Sequence, residues 1–335
     1  MPTMNRQITL VTRPLGVPEE ANFRLVSTPV PPVPEGQVLL KVRYLSVDPY
    51  MRGLLREGGT YMAAVPVDGV VVGGTIAEVV ESRHEKFQVG DIVESYCGWQ
   101  EYGLSDGKGL RKIDPALAPI STGLGVLGMP GLTAYFGLLD ITSPKAGETV
   151  VVSGAAGAVG SIAGQIAKIM GCRVVGIAGS DAKVEHLIKD LGFDAAFNYK
   201  TVKNYRAKVA ELCPNGVDVY FDNVGGPVSD GVWLNINTGA RISVCGQIAN
   251  YNDTKPEPGP RLMFQLIVKQ ARAEGFLVFQ FAKRYAEGIQ KLAGWLAEGK
   301  LTYRETVVEG LENAPRAFIG LFLGENTGKQ IVKVS

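Results

Sequence analysis

The sequence predicts an α/β protein of two domains, one β-rich and one a doubly wound parallel sheet, with a cleft between them. Three observations lead there. A chain of 335 residues exceeds what a single hydrophobic core usually reaches, so about two domains are expected. From Ile8 to about Ile120 short β-branched runs are split by Gly and Pro, as in "QVLLKVRYLSV", "VVVGGTIAEVVE" and "DIVESYC", a pattern of small barrels and sandwiches. From Glu148 onward apolar strand runs alternate with helical periodicity, the signature of a parallel sheet covered on both faces.

The elements follow in order. The proline-rich "TPVPPVPEGQVLLKV" reads as an extended lead-in to a strand at 37–45, because proline fixes φ and biases its predecessor toward extended backbone. At "MPGLTAYFGLLDI", 129–141, the period turns helical. Strands are then expected at 149–153, 173–178, 194–197, 217–222 and 240–244, with helices near 158–170, 181–191, 201–212 and 226–235. A helix at 261–271, the apolar strand "EGFLVF", a helix at 281–299, "YRETVVEG", a helix at 311–322 and the strand "KQIVKV" complete the chain. The last pieces are expected to return to the first domain, which gives boundaries of 1–127 with 304–335 for the β-rich domain and 128–303 for the other.

Composition narrows the partners. Thirty-four basic against 33 acidic residues leave a net charge of +1, so no charge excess recommends nucleic acid or an anionic membrane. No apolar run reaches the roughly 20 residues of a membrane span, and "MPTMNRQITLV" lacks the pattern of a secretory signal. Cys97, Cys172, Cys213 and Cys245 form no C-x-x-C pair, which suits a reducing, cytoplasmic setting. A small-molecule ligand is the expected partner. His84 and His186 are the only histidines and have no ligand-like neighbours, so no metal site is expected. The one G-x-S-x-G match, "GLSDG" at 103–107, lies among the short β-branched runs and not in the strand-to-helix turn an elbow needs, and there is no G-x-x-x-x-G-K-[ST] loop, which leaves hydrolase and NTPase chemistry without its groups.

The positive signal is "VVSGAAGAVGSIAGQIAK", 151–168. It is an apolar strand, a glycine turn and a helix of small residues, the context a G-x-G-x-x-G dinucleotide fingerprint requires. Gly157 and Gly160 fill the second and third template glycines, while Ala155 falls on the first. Gly157 would let backbone approach a pyrophosphate, Gly160 would let helix pack on strand, and the helix N-terminus supplies N–H donors and positive dipole. Alanine is tolerated if Gly154 takes any left-handed torsion. At the end of the second strand stands "GIAGSDAK". Gly179 and Ser180 occupy the place where an acid would hold an unmodified ribose, and Lys183 lies within one helical turn, so NADP(H) is favoured. Asp181 reads as a first-turn residue complementing the helix dipole.

These segments, with "SVDPYMRG" at 46–53, "MPGLTAYFGL" at 129–138, "FDNVGG" at 221–226, "CGQIANYN" at 245–252 and "GKQIVKV" at 328–334, resemble the zinc-independent medium-chain dehydrogenases/reductases of the leukotriene B4 12-hydroxydehydrogenase, prostaglandin reductase and 2-alkenal reductase type. The resemblance runs over essentially the whole chain. Where the zinc branch carries Cys and Gly-His-Glu ligands, this chain has "VDPYM" and "VPVDGVVVGG". The resemblance implies a GroES-like β-rich domain joined to a Rossmann domain, a homodimer, and NADPH-dependent reduction of C=C bonds conjugated to a carbonyl. It places Gly157, Ala158, Val159, Gly179, Ser180, Lys183, Tyr199, Asn223 and Asn326 at the dinucleotide. Met129, Thr133, Cys245, Ile248 and the backbone of Phe276, Leu277 and Val278 would border the nicotinamide. Tyr251 would face the substrate carbonyl and the cofactor, and Tyr50 would line the pocket from the β-rich domain. Arg52 either positions the Tyr50 loop or pairs with a carboxylate. Two alternatives stay open: a quinone oxidoreductase of the zeta-crystallin type, and a non-catalytic NADPH-binding redox sensor. The polar stretch 249–260 is long enough to be a lid.

Overall fold

The computed structural model describes residues 3–335. In chain order the elements are β1 (Met4–Leu10), β2 (Phe23–Pro29), β3 (Val38–Ser46), α1 (Met51–Leu54), β4 (Thr75–Ser82), β5 (Ile92–Ser95), β6 (Tyr102–Ser105) and β7 (Arg111–Lys112). There follow α2 (Met129–Leu139), β8 (Thr149–Ser153), α3 (Gly160–Ile169), β9 (Arg173–Ala178), α4 (Asp181–Lys189), β10 (Ala195–Asn198), α5 (Tyr205–Leu212), β11 (Val217–Asp222), α6 (Gly226–Trp233) and β12 (Ile236–Val244). The chain ends with α7 (Met263–Val268), β13 (Arg272–Gly275), α8 (Tyr285–Ala297), β14 (Glu305–Glu309), α9 (Ala314–Leu323) and β15 (Lys329–Lys333). Two compact units result. One runs up to Leu124 and includes Glu305–Asn326 and Gln330–Ser335; the other is Gly125–Arg304 with Thr327–Lys329.

In the first unit a sheet ordered β14-β15-β3-β4-β5-β7, with β6 also pairing β3, accompanies the β1-β2 hairpin. The alternation of β3 and β4 buries Leu40, Val42, Ala77 and Val79 in one core. The C-terminal return is fixed by aromatic packing. Phe318 of α9 meets the fully buried Trp99 edge-on at 5.9 Å, and Phe23 stacks on Trp99 at 5.7 Å. Such pairs add about 0.5–1.5 kcal/mol each beyond area burial.

In the second unit six parallel strands are ordered β10-β9-β8-β11-β12-β13. β8 is buried along its whole length, as its unbroken "TVVVS" requires of a strand covered on both faces. The strand order reverses between β8 and β11, the switch point outside whose carboxyl ends ligands bind in such sheets.

Several boundaries differ from the sequence expectation. The strand expected at "EGFLVF" is instead Arg272–Gly275. Its ladder with β12 ends at Val244↔Gly275, because the N–H groups of Cys245 and Gly246 turn back to the Asp222 carbonyl. With no ladder partner left, residues 278–284 coil into a 3-10 helix, and α8 starts only at Tyr285. The helix expected from 201 is split into a 3-10 turn at Tyr199–Thr201 and α5. β12 starts earlier than expected, at Ile236.

Candidate active site

The glycine turn is built by close approach. Gly154 takes φ +58, the left-handed torsion that spares Ala155, whose N–H donates to the Ile177 carbonyl at 3.0 Å. A Cβ on Gly160 would lie 2.3 Å from the Gly154 carbonyl oxygen and 2.9 Å from Ala155 Cα. Gly160 is therefore where α3 meets β8. A Cβ on Gly157 would meet within 4 Å only the Gly154 oxygen, at 3.2 Å, so that side of the turn is open to an incoming group. Ala158 and Val159 lead directly into α3, whose Ser161 N–H donates to the Gly157 carbonyl at 3.1 Å and whose N-terminus carries no side-chain cap. From behind, the Gly328 N–H donates to the Ala156 carbonyl at 2.8 Å. Asn326 stands two residues earlier, in the β-rich unit.

At the end of β9, Ser180 caps α4, its Oγ accepting the Lys183 N–H at 3.3 Å. Asp181 accepts from Asn198 Nδ2 at 2.9 Å, so its charge is engaged at the first turn of α4. The Tyr199 ring packs over Gly179, where a Cβ would come 3.0 Å from Tyr199 Cε1. Burial, with Lys200 nearby, holds the Lys183 ammonium below the ordinary lysine range. Two ammonium groups thus share one corner of the unit, an arrangement that favours an anion of the size of a 2′-phosphate. Sequence reasoning missed Lys200; it belongs here because β10 pairs with β9, a contact no local pattern announces. The open turn, the helix N-terminus, the absence of an acid at the β9 end and the paired lysines together fit NADP(H).

At the end of β11, Asn223 donates through Nδ2 to the Ser153 carbonyl at 2.7 Å, and its N–H goes to Ser153 Oγ at 2.9 Å. This joins the β8 and β11 ends. After β12, Cys245 and Gly246 bond back to Asp222, Ile248 opens a 3-10 turn, and Tyr251 closes it. The Tyr251 hydroxyl lies 3.1 Å from where a Gly246 Cβ would be, and it accepts the Gln247 N–H at 3.3 Å. Burial pushes the phenol above its ordinary range, against the opposing effect of that N–H. The phenol therefore keeps its proton at neutral pH while its oxygen is polarised by a donor. On α2, Thr133 donates to the Met129 carbonyl at 2.7 Å. Phe276 turns its ring into the core, against Gly137 and 6.4 Å from Phe281. It can offer a ligand only backbone. Val278 is buried and Leu277 exposed.

In the β-rich unit, Tyr50 precedes α1 and lies 6.5 Å from Tyr61. Burial, then the charge of Asp48, raises its phenol well above the ordinary range. Arg52 is buried and donates to the Pro14 and Gly16 carbonyls at 3.1 and 2.9 Å. Those backbone bonds hold the segment that follows Tyr50. Among the described residues no cluster of three or more His, Cys, Asp or Glu is placed to hold a metal, and no helix is long and apolar enough to cross a membrane.

Comparison with known proteins agrees with this chemistry. Residues 6–113 match the family described as the N-terminal domain of oxidoreductase, and residues 158–294 match zinc-binding dehydrogenase. The chain is 46% identical to the NADPH-dependent curcumin reductase of Escherichia coli over 99% of this chain and 97% of that one. It is 44% identical to the NADP-dependent 2-alkenal reductase of Nicotiana tabacum over 99% and 98%. CurA from Vibrio vulnificus in complex with NADPH superposes with a TM-score of 0.94 at 46% identity, covering 98% of this chain and 99% of that one. The chain belongs to the zinc-independent medium-chain dehydrogenase/reductase family and is an NADP-dependent oxidoreductase.

Proposed function

We propose that the protein reduces the C=C bond of α,β-unsaturated aldehydes and ketones, with Tyr251 as the hydrogen-bond donor to the carbonyl. The observation that carries this is the Tyr251 phenol itself, kept protonated by burial and set beside Cys245 and Gly246 at the carboxyl end of β12. Addition of hydride to the β-carbon of an enone places negative charge on the carbonyl oxygen, and a prepositioned O–H stabilises that charge as it develops. An enolate is weakly basic, so a neutral phenol suffices and the α-carbon can take its proton from solvent.

NADPH supplies the hydride when bound. The chain's own part is to hold the dinucleotide and shield the reacting atoms. Gly157 and the α3 N-terminus would receive the pyrophosphate, Lys183, Lys200 and Tyr199 the 2′-phosphate, with Asn223 along the dinucleotide, and Cys245, Ile248, Met129 and Thr133 would flank the nicotinamide. The named activities of the relatives, on curcumin and on 2-alkenals, support the substrate class. The test is oxidation of NADPH by the purified protein with a simple enone, a 2-alkenal and a quinone in parallel. Faster turnover of the enone and alkenal is expected. Turnover of quinone alone would contradict the assignment, as would NADPH binding without any turnover.

The same reading extends to a homodimer. β13 pairs only with β12, leaving an open sheet edge, and beside it α7 exposes Met263, Phe264 and Ile267 at 74%, 64% and 73%. An edge strand flanked by apolar side chains suits a second copy across a twofold axis. Solution mass should be that of a dimer, and Ile267→Asp should shift it toward the monomer.

A further inference from the structure

The "FDNVGG" turn holds a group that the reading above leaves unused. Asp222, the last residue of β11, is 3% exposed. Its Oδ1 accepts from Ser153 Oγ and the Tyr220 hydroxyl, each at 2.8 Å, and from the Val224 and Gly225 N–H groups, each at 3.0 Å. Its Oδ2 accepts from Ser229 Oγ at 2.6 Å. All five partners are neutral, and among the described residues no Lys, Arg or His forms an ion pair with this carboxylate. Buried carboxylates usually have a cation beside them. Here neutral donors solvate the charge, and one negative charge stays inside the unit.

That charge lies where three strand ends meet. The Asp222 carbonyl accepts from Cys245 at 2.9 Å and Gly246 at 3.1 Å, and Ser153, which donates to its carboxylate, accepts from Asn223. Neighbouring groups on two other elements respond to it. The Cys245 thiol is pushed up to about 12 by burial and by Asp222. The Asp230 carboxyl on α6 is raised by burial, by Glu257 and by Asp222.

We propose that the uncompensated charge of Asp222 biases the nicotinamide site toward the oxidised, positively charged ring and so lowers the barrier to hydride donation. The proposal rests on the assignment of Cys245 to that site and of the adjoining Asn223 to the dinucleotide. The reduced ring is neutral and the oxidised ring carries one positive charge. The hydride leaves ring C4 with its electron pair and bonds to the enone β-carbon, and the α-carbon takes a proton from solvent, so Asp222 transfers nothing. It acts at a distance, through a field that favours the product ring over the reactant ring, part of which is felt in the transition state.

Asp222→Asn tests this, because it preserves volume, keeps one oxygen for the two backbone N–H groups and lets the new amide donate to Ser229 Oγ. The readout is the ratio of the dissociation constants of NADP+ and NADPH, by fluorescence titration, which a merely structural residue would not move. The variant should raise that ratio about fivefold or more and slow single-turnover hydride transfer in the same direction. An unchanged ratio in the folded variant overturns the proposal. If Asp222→Asn does not fold, Tyr220→Phe carries the test: it removes one donor, leaves the charge less solvated and should lower the ratio about twofold, whereas no change or a rise overturns the proposal. A wild-type protein that binds neither nucleotide would overturn the cofactor assignment and this proposal together. A wild type that binds both and reduces enones, paired with an unaltered ratio in Asp222→Asn, overturns this proposal alone.

Discussion

The turn after β8 and the segment after β12 both end at the carboxyl side of the same sheet, yet they are held in place by different means. Residues 154–160 are fixed by contact: Gly154 carries a left-handed torsion and Gly160 leaves no room for a methyl group. Residues 245–251 are fixed by hydrogen bonds to the remote carbonyls of Asp222, Asn223 and Val224 and by a single 3-10 turn, and the stretch beyond runs exposed and irregular until α7. The contrast teaches that a phosphate-binding turn can be specified locally and rigidly. The proposed donor to the substrate, Tyr251, is placed by a network that no short motif encodes.

If packing fixes the turn, its glycines should fail in different ways. Gly160→Val should destabilise the protein by about 3 kcal/mol, since its Cβ would meet backbone that cannot move; chemical denaturation measures this. Gly157→Ala should leave the denaturation midpoint nearly unchanged and weaken NADPH binding about tenfold, because the methyl intrudes only on the open side. Equal loss of stability in both would break the comparison. Lys183→Ala should weaken NADPH about tenfold to a hundredfold, the worth of a charge-assisted contact, while NADH binding stays within about twofold. Equal weakening of both nucleotides would move the 2′-phosphate elsewhere.

The segment after β12 is probed by pH. A donor acts while protonated, and burial raises the Tyr251 phenol above its ordinary range. Enone turnover should therefore stay level from neutral pH to about 10, the ordinary phenol range, and fall only beyond it. A fall centred well below that range would assign the donor to another group.

Much of this was legible in the sequence. The alternation after Glu148, the glycine spacing at 154–160 and the neutral end of β9 are local patterns, and the structure carries each of them. "EGFLVF" misled because a continuous apolar run reads as a strand, whereas the ladder ends where β12 turns back on Asp222. Lys200 and the Ser153 bond to Asp222 stayed hidden because they are tertiary: Ser153 and Asp222 are 69 residues apart in sequence and 2.8 Å apart in space.

The most direct test of the account is single-turnover hydride transfer from bound NADPH to an enone by Tyr251→Phe. The expected rate is about a hundredfold lower, the usual cost of removing one donor to a developing oxyanion, with NADPH affinity within about twofold of wild type. An undiminished rate in a variant that still binds NADPH would contradict it.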